Sequence, residues 1–302
     1  MSKHKGDRLI TKLGKLLAAS PPDGAGRFDA AQVEQLLDAY YRHISPADLE
    51  EHDPQDLVGA LIAHWRLMRE RRPGEAKVRV YNPDQEEHGW RSRDTIVEVV
   101  AQDMPFLVDS ISAALNQRGL AIKLTIHPVF GVSRDSNGRL KALQEAKSAV
   151  ELSSFEAVIQ LHVERQPHEA LPELQQLVTG VIGDVSMATS DWLKMKLLAE
   201  KIEQELGTRG TPDDSCPDTA EARAFLNWMI NDHFLFIASC QFELDGVDGA
   251  ALHFVEGSGL GVLRGGSEAR ERAESWVSGV GVDLPGFSFD LLITKANARS
   301  SV

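Results

Sequence analysis

Apolar positions change their period along the chain. Up to residue 75 they recur at helical spacing: Val33, Leu36, Leu37 and Tyr40 mark one helix, and Leu57, Leu61, Trp65 and Met68 form the stripe of another. Ser45-Pro46-Ala47-Asp48 and Asp53-Pro54 both have the form of an N-cap followed by proline in the first turn. Arg69, Arg71 and Arg72 follow as a solvated, dipole-complementing helix end. The first twenty residues read as a short amphipathic helix. Lys12 and Lys15 interrupt what would otherwise be the apolar core of a signal peptide.

From residue 76 the period falls to two. KVRVY (77–81) and TIVEVVA (95–101) have strand character. The stretch 106–119 returns to helical spacing through Leu107, Ile111, Ala114 and Leu115, with Gly119 as C-cap. In 121–132, Ile122, Leu124, Ile126 and Phe130 fall on one face and Lys123, Thr125 and His127 on the other. Asp135-Ser136-Asn137-Gly138 signals a hairpin. FEAVIQLHVER (155–165) alternates again, and Leu171, Leu174, Val178, Val181 and Val185 mark a helix, with a second helical stretch over 191–207. Strand, helix, strand, strand, helix, behind one extra strand, predicts an α+β fold: a ferredoxin-like α/β sandwich with both helices on one face of an antiparallel sheet. Ile122, Leu124, Ile126, Ile159 and Leu161 are then expected beneath Leu107, Ile111 and Leu115. The other face, with Lys123, Thr125, His127, Gln160 and His162, is expected to be wet or to meet a partner.

After a turn-rich loop (208–218), a capping-box-like start at Asp218 opens a helix. FLFIASCQFEL (234–244) alternates with Cys240 as a small core residue, a glycine-rich loop occupies 257–266, and LLITKANARSSV reads as a strand running into the terminus. The expected parts are a helical segment (1–75), an α/β sandwich with long C-terminal helices (76–207), and a partial α+β domain (219–302) that continues past Val302.

Composition narrows the function. With 302 residues there is room for about two domains. The formal charge of −13 disfavours phosphate backbones, so nucleic acid is not an expected partner. Two cysteines, Cys216 and Cys240, build no disulfide framework and fit a reducing cytoplasm. No apolar run reaches the roughly 18 residues of a membrane span. The chemical motifs are absent as well. GSGLG has Val262 where a third dinucleotide-site glycine belongs. Gly14-Lys15-Leu16 lacks the rest of a P-loop, and no HExxH or paired CxxC occurs. His162 and His168 read as exposed histidines rather than metal ligands. Asp109, Ser110 and His127 do not make a triad, because Ser110 lies inside a predicted helix with no nucleophile elbow. No catalytic, cofactor-binding or metal-ligating residue is assigned.

The block GWRSRDTIVEVVAQDMPFLVDSISAALNQRGLAIKLTIHPVFGVSRDSNGRL resembles the N-terminal part of the large bacterial NAD-specific glutamate dehydrogenases, and EARAFLNWMINDHFLF, GSGLGVLR and ITKANARS look like its continuation. The resemblance covers about residues 76–302. It implies an ACT domain followed by a PAS-like segment, a role in regulation or oligomerisation within amino-acid catabolism, and cytoplasmic location. The implied partners are the remainder of the parent chain, a second copy, or an amino-acid effector. NAD and the oxidative deamination of glutamate belong to a downstream domain. The alternative is a stand-alone ACT-type small-molecule sensor or protein-interaction module.

Effector-binding ACT domains carry D-x-P-G-x-L between first strand and first helix, so the resemblance points to Asp103, Met104, Pro105 and Phe106, with Phe106 standing where glycine would be. The preferred reading is plainer: Asp103 caps the helix, Pro105 starts it, and Phe106 packs into the core.

Overall fold

The computed structural model describes residues 2–19, 30–145, 154–208, 217–233, 236–245, 251–265, 271 and 273–275. Two compact units divide at Ile182/Gly183. The first begins with four helices: α1 (Ser2–Ala19), α2 (Ala30–Tyr41), α3 (Pro46–Glu50) and α4 (Pro54–Met68). Both start signals act as read. The Ser45 side chain accepts from the Asp48 N–H at 3.1 Å, and Asp53 accepts from the Gln55 N–H at 2.8 Å. Then come β1 (Lys77–Tyr81), the one-turn α5 (Gln85–His88), β2 (Thr95–Gln102), α6 (Leu107–Gln117), β3 (Ile122–Ile126), β4 (Val129–Arg134), β5 (Leu140–Glu145), β6 (Ser154–Val163) and α7 (Leu171–Ser190), within which the unit boundary falls.

The sheet is antiparallel, in the order β1-β2-β6-β4-β5. Strands β3 and β4 share one edge of β6: Ile122–Ile126 pairs with its C-terminal half and Val129–Val132 with its N-terminal half. The path β2-α6-β3 crosses over so that β6 lies between β2 and β3, as a ferredoxin-like sandwich requires. The extra strand β1 pairs with β2 along the edge where such a fold places its last strand.

Cross-strand partners share a face of the sheet, and here the register overturns the expected face assignment. Ile126 pairs with Gln160 and Leu124 with His162, while Thr125 pairs with Leu161. Ile126, Phe130, Val132, Val100 and Val158 therefore share a face with Gln160, and they form one core cluster with Leu13, Leu37, Tyr41, Leu57, Leu61, Trp65 and Met68 of the N-terminal helices. The alternate set, Val97, Val99, Ala157, Ile159 and Leu161, lines the α6/α7 side with the buried Leu107, Ile111, Leu115, Leu174 and Val178. Residues expected to be wet are covered: Gln160 is fully buried and His162 is 4% exposed, and only Lys123 among the strand residues of that set stays exposed. The cause is energetic. The apolar stripes of residues 1–75 need a surface, each buried large side chain contributes about 1.5–3 kcal/mol, and a buried polar group costs little once it is hydrogen-bonded. The expected boundary at residue 75 is accordingly no division between compact units.

Two buried acids lie on this covered face. Glu98 accepts from Tyr81 Oη at 3.0 Å, from Gln160 Nε2 at 3.1 Å and from Arg79 Nε at 3.0 Å. Glu156 is clamped by Arg71 Nη2 at 2.8 Å and by Arg134 Nε at 2.7 Å. Arg71, expected as part of a solvated helix end, is 5% exposed, because this buried carboxylate draws it inward.

The second unit holds α8 (Trp192–Thr208), α9 (Pro217–Trp228), a π-helical turn (Met229–His233), and the short strands β7 (Ala238–Ser239), β8 (Phe242–Asp245), β9 (Ala251–Phe254) and β10 (Leu260–Gly261), paired as β7 with β10 and β8 with β9. The glycine-rich segment is structural. Gly261, at φ 62°, donates its N–H to the buried Asp191 at 3.1 Å, and a Cβ there would lie 2.1 Å from the Ile237 carbonyl oxygen. Cys240 is partly buried against Phe254 and Leu263, in keeping with its expected place in a core. Cys216 and the terminal strand expected in 291–302 lie outside the described residues.

Candidate functional site at the start of helix α6

The turn between β2 and α6 differs from the preferred reading in each of its parts. Helix α6 begins at Leu107, so its N-cap residue is Phe106, and no side chain caps it. Asp103 lies three residues before that position and makes no capping hydrogen bond to the helix. Its own N–H donates to the Phe155 carbonyl at 2.9 Å, an extension of the β2–β6 ladder, and its carboxylate is exposed. Pro105 precedes the helix and is exposed, while Met104 is half-buried. Phe106 adopts φ 65° and, among the described residues, is the one non-glycine with positive φ. Its ring is 41% exposed rather than in the core. The signal was present in the sequence: glycine at this place in D-x-P-G marks a left-handed backbone, and phenylalanine has inherited the conformation without the freedom.

The left-handed residue turns the chain so that its carbonyl accepts the first helical bond, from Ser110 N–H at 2.9 Å. The free N–H groups of an uncapped first turn carry partial positive charge and suit a carboxylate. Acidic groups stand beside them. Asp103 and Asp109 both act on the His127 imidazole, whose pKa falls through desolvation while the two carboxylates oppose the fall. Phe155, 43% exposed, lies next to the turn through its bond to Asp103. The turn thus combines an uncapped helix start, two carboxylates and two partly exposed rings. Ser110 is buried within α6, and its hydroxyl has no hydrogen-bond partner, so no base is paired with it.

The remaining sequence candidates are dispersed. His168 is exposed in a short 3-10 turn at His168–Ala170, apart from the buried His162. Among the described residues, the cluster with metal-ligand spacing is Asp84, Glu87 and His88, where Asp84 already caps α5 through the N–H groups of Glu86 and Glu87. No described helix is long and apolar enough to cross a membrane.

Residues 36–178, from α2 to the middle of α7, match the family described as "Glutamate dehydrogenase, ACT1 domain". The chain carries a glutamate dehydrogenase ACT1 domain. It is similar to the NAD-specific glutamate dehydrogenase of Halomonas elongata, 33% identical over 237 residues, which are 78% of this chain and 15% of that protein. The enzyme of the same name from Pseudomonas aeruginosa is 34% identical over 235 residues, 77% of this chain and 14% of that protein. That of Mycobacterium tuberculosis is 30% identical over 216 residues, 70% and 13% respectively. The chain therefore spans about 15% of the length of the curated relatives it matches. The ACT1 match begins in α2, so the family includes helices that the sequence reading set apart from the sandwich.

Proposed function

We propose that this chain is the N-terminal regulatory and assembly region of an NAD-specific glutamate dehydrogenase. In this reading NAD and glutamate turnover belong to the rest of the enzyme. The present residues contribute no catalytic group, and the protein works in the cytoplasm. The partners are the remainder of the parent polypeptide or a second copy, and residues 219–302, whose described part holds most of α9 followed by short antiparallel strands, form the PAS-like part. The ACT1 match over the compact first unit supports this role.

Within it, the turn Asp103–Phe106 is the effector contact for a small amino acid. The observation that carries this is Phe106, held left-handed with its ring outward at an uncapped helix start. The ligand carboxylate would take the free N–H groups of α6, and Asp103 would take the ammonium as a charge-assisted partner. The test is an amino-acid panel screened by thermal shift and confirmed by calorimetry on the wild-type chain and on Asp103→Asn. Binding that disappears in Asp103→Asn at unchanged stability supports the reading. A panel without any binder, or a ligand indifferent to Asp103→Asn, removes it.

A further inference from the structure

On the opposite face of the sheet, His162 (β6) lines a small cavity with room for about one water. Its walls include His52 and Asp56 at the start of α4, Trp90 and Arg91 from the segment before β2, and Gln160. The imidazole is 4% exposed. Its Nε2 meets Gln160 Oε1 at 3.3 Å, and Gln160 in turn donates to Glu98. Its Nδ1 is buried without a hydrogen-bond partner. The nearest carboxylate oxygen, Asp94 Oδ2, is 3.9 Å away, too far to accept, and Asp94 is engaged by Lys123 of β3. The His52 ring faces His162 edge to face, with centroids 5.7 Å apart. A proton arriving at Nδ1 would find no acceptor in reach, two cationic or ionisable neighbours in Lys123 and His52, and Arg91 at the rim, with Asp56, Asp94 and Glu98 as the opposing charges.

We propose that His162 is a proton-sensitive latch: neutral, it lets the α3–α4 junction and the segment 89–94 close over the polar face of the sheet, and protonated, it drives that cover off. Burial is the main reason the ring resists the proton, with His52 and Lys123 adding to it and Asp94 opposing, and together they push its pKa down to about 4. A histidine whose folded pKa is depressed contributes stability that is complete above its ordinary pKa of about 6.5 and is lost as pH falls from there towards the folded value. The ratio of closed to open cover should thus fall on the order of a hundred-fold between pH 7 and pH 4.

The test is hydrogen exchange of residues 49–61 and 89–94, which line the cavity from the cover side, from pH 7 to pH 4, corrected for intrinsic rates, on the wild-type chain, His162→Gln and the surface control His168→Gln. The expected result is an acid-dependent opening of these segments in wild type and His168→Gln that is largely lost in His162→Gln. The same opening profile in His162→Gln would overturn the latch. Should His162→Gln fail to fold, the wild-type chain decides: opening of these segments that tracks the NMR titration of the His162 imidazole supports the proposal, and segments that stay protected while the imidazole titrates refute it.

Discussion

Replacing Phe106 by glycine separates two accounts of the β2–α6 turn, because a core phenylalanine and a left-handed exposed one respond in opposite ways. A buried phenylalanine truncated in a core costs about 3–5 kcal/mol. Phe106 differs in two respects: its φ is 65° and its ring is 41% exposed. Holding an L-residue left-handed costs roughly 1–2 kcal/mol, which glycine recovers. Against this stand the lost contacts of a half-covered ring, about half of the 1.5–3 kcal/mol for complete burial, and the larger unfolded-state entropy of glycine, about 0.4–1 kcal/mol. The contributions nearly cancel, so Phe106→Gly should lie within about 1 kcal/mol of wild type. Phe106→Ala loses the ring but keeps the strained backbone, so it should be less stable than Phe106→Gly by about 1 kcal/mol. Phe130→Ala, at a site 1% exposed on the helix-covered face, supplies the core reference at about 3–5 kcal/mol. Urea unfolding followed by far-UV circular dichroism measures all three. A Phe106→Gly loss above about 3 kcal/mol, or an alanine variant more stable than the glycine one, would refute the argument.

Four other outcomes follow from the packing around the sheet. Ile126→Ala should cost about 2–5 kcal/mol, as its side chain packs under the N-terminal helices, whereas Lys123→Ala on the same strand should cost under about 1 kcal/mol in thermal melts. Removing the acid of the Arg71–Glu156–Arg134 cluster with Glu156→Ala should cost about 3–5 kcal/mol, because two arginines are left without their partner. Burial would raise the Glu156 carboxyl, but the hydrogen bonds and charges of Arg134 and Arg71 outweigh it and hold the pKa below its ordinary value. Its contribution is therefore present above the ordinary carboxylate range and lost as pH falls through the folded value, so Glu156→Gln should flatten the acid limb of the stability curve below about pH 4.5. Gly138→Ala should destabilise clearly in the same assay, since a Cβ at φ 80° would stand 2.6 Å from the Arg71 carbonyl oxygen.

What the sequence conveyed was local. The caps at Ser45 and Asp53, the run 77–81 as a strand and the hairpin turn at Asp135–Gly138 depend on residues within a few positions of one another, and each forms as read. Alternation tells which residues of a strand share a face, but not which layer that face meets. A register shift between Ile122 and Leu124 reset the pairing of β3, so Gln160 and His162 came to lie with Ile126 under helices 1–75 rather than with Thr125. The buried polar groups were unreadable for a related reason: the partners of Glu98 lie at Tyr81 and Gln160, separations of 17 and 62 residues that no local pattern encodes. Phe106 was readable in part. The D-x-P-G comparison marked its position as one where glycine belongs. The consequence, a left-handed backbone with the ring turned out, follows from that glycine and not from the apolar character of phenylalanine.

The central claim, that this ACT1-bearing chain regulates a glutamate dehydrogenase without supplying its chemistry, meets its most direct test in the rate of NADH formation by the purified chain given saturating glutamate and NAD. The account predicts no turnover above buffer at any chain concentration. A glutamate-dependent rate that rises in proportion to the chain would contradict it.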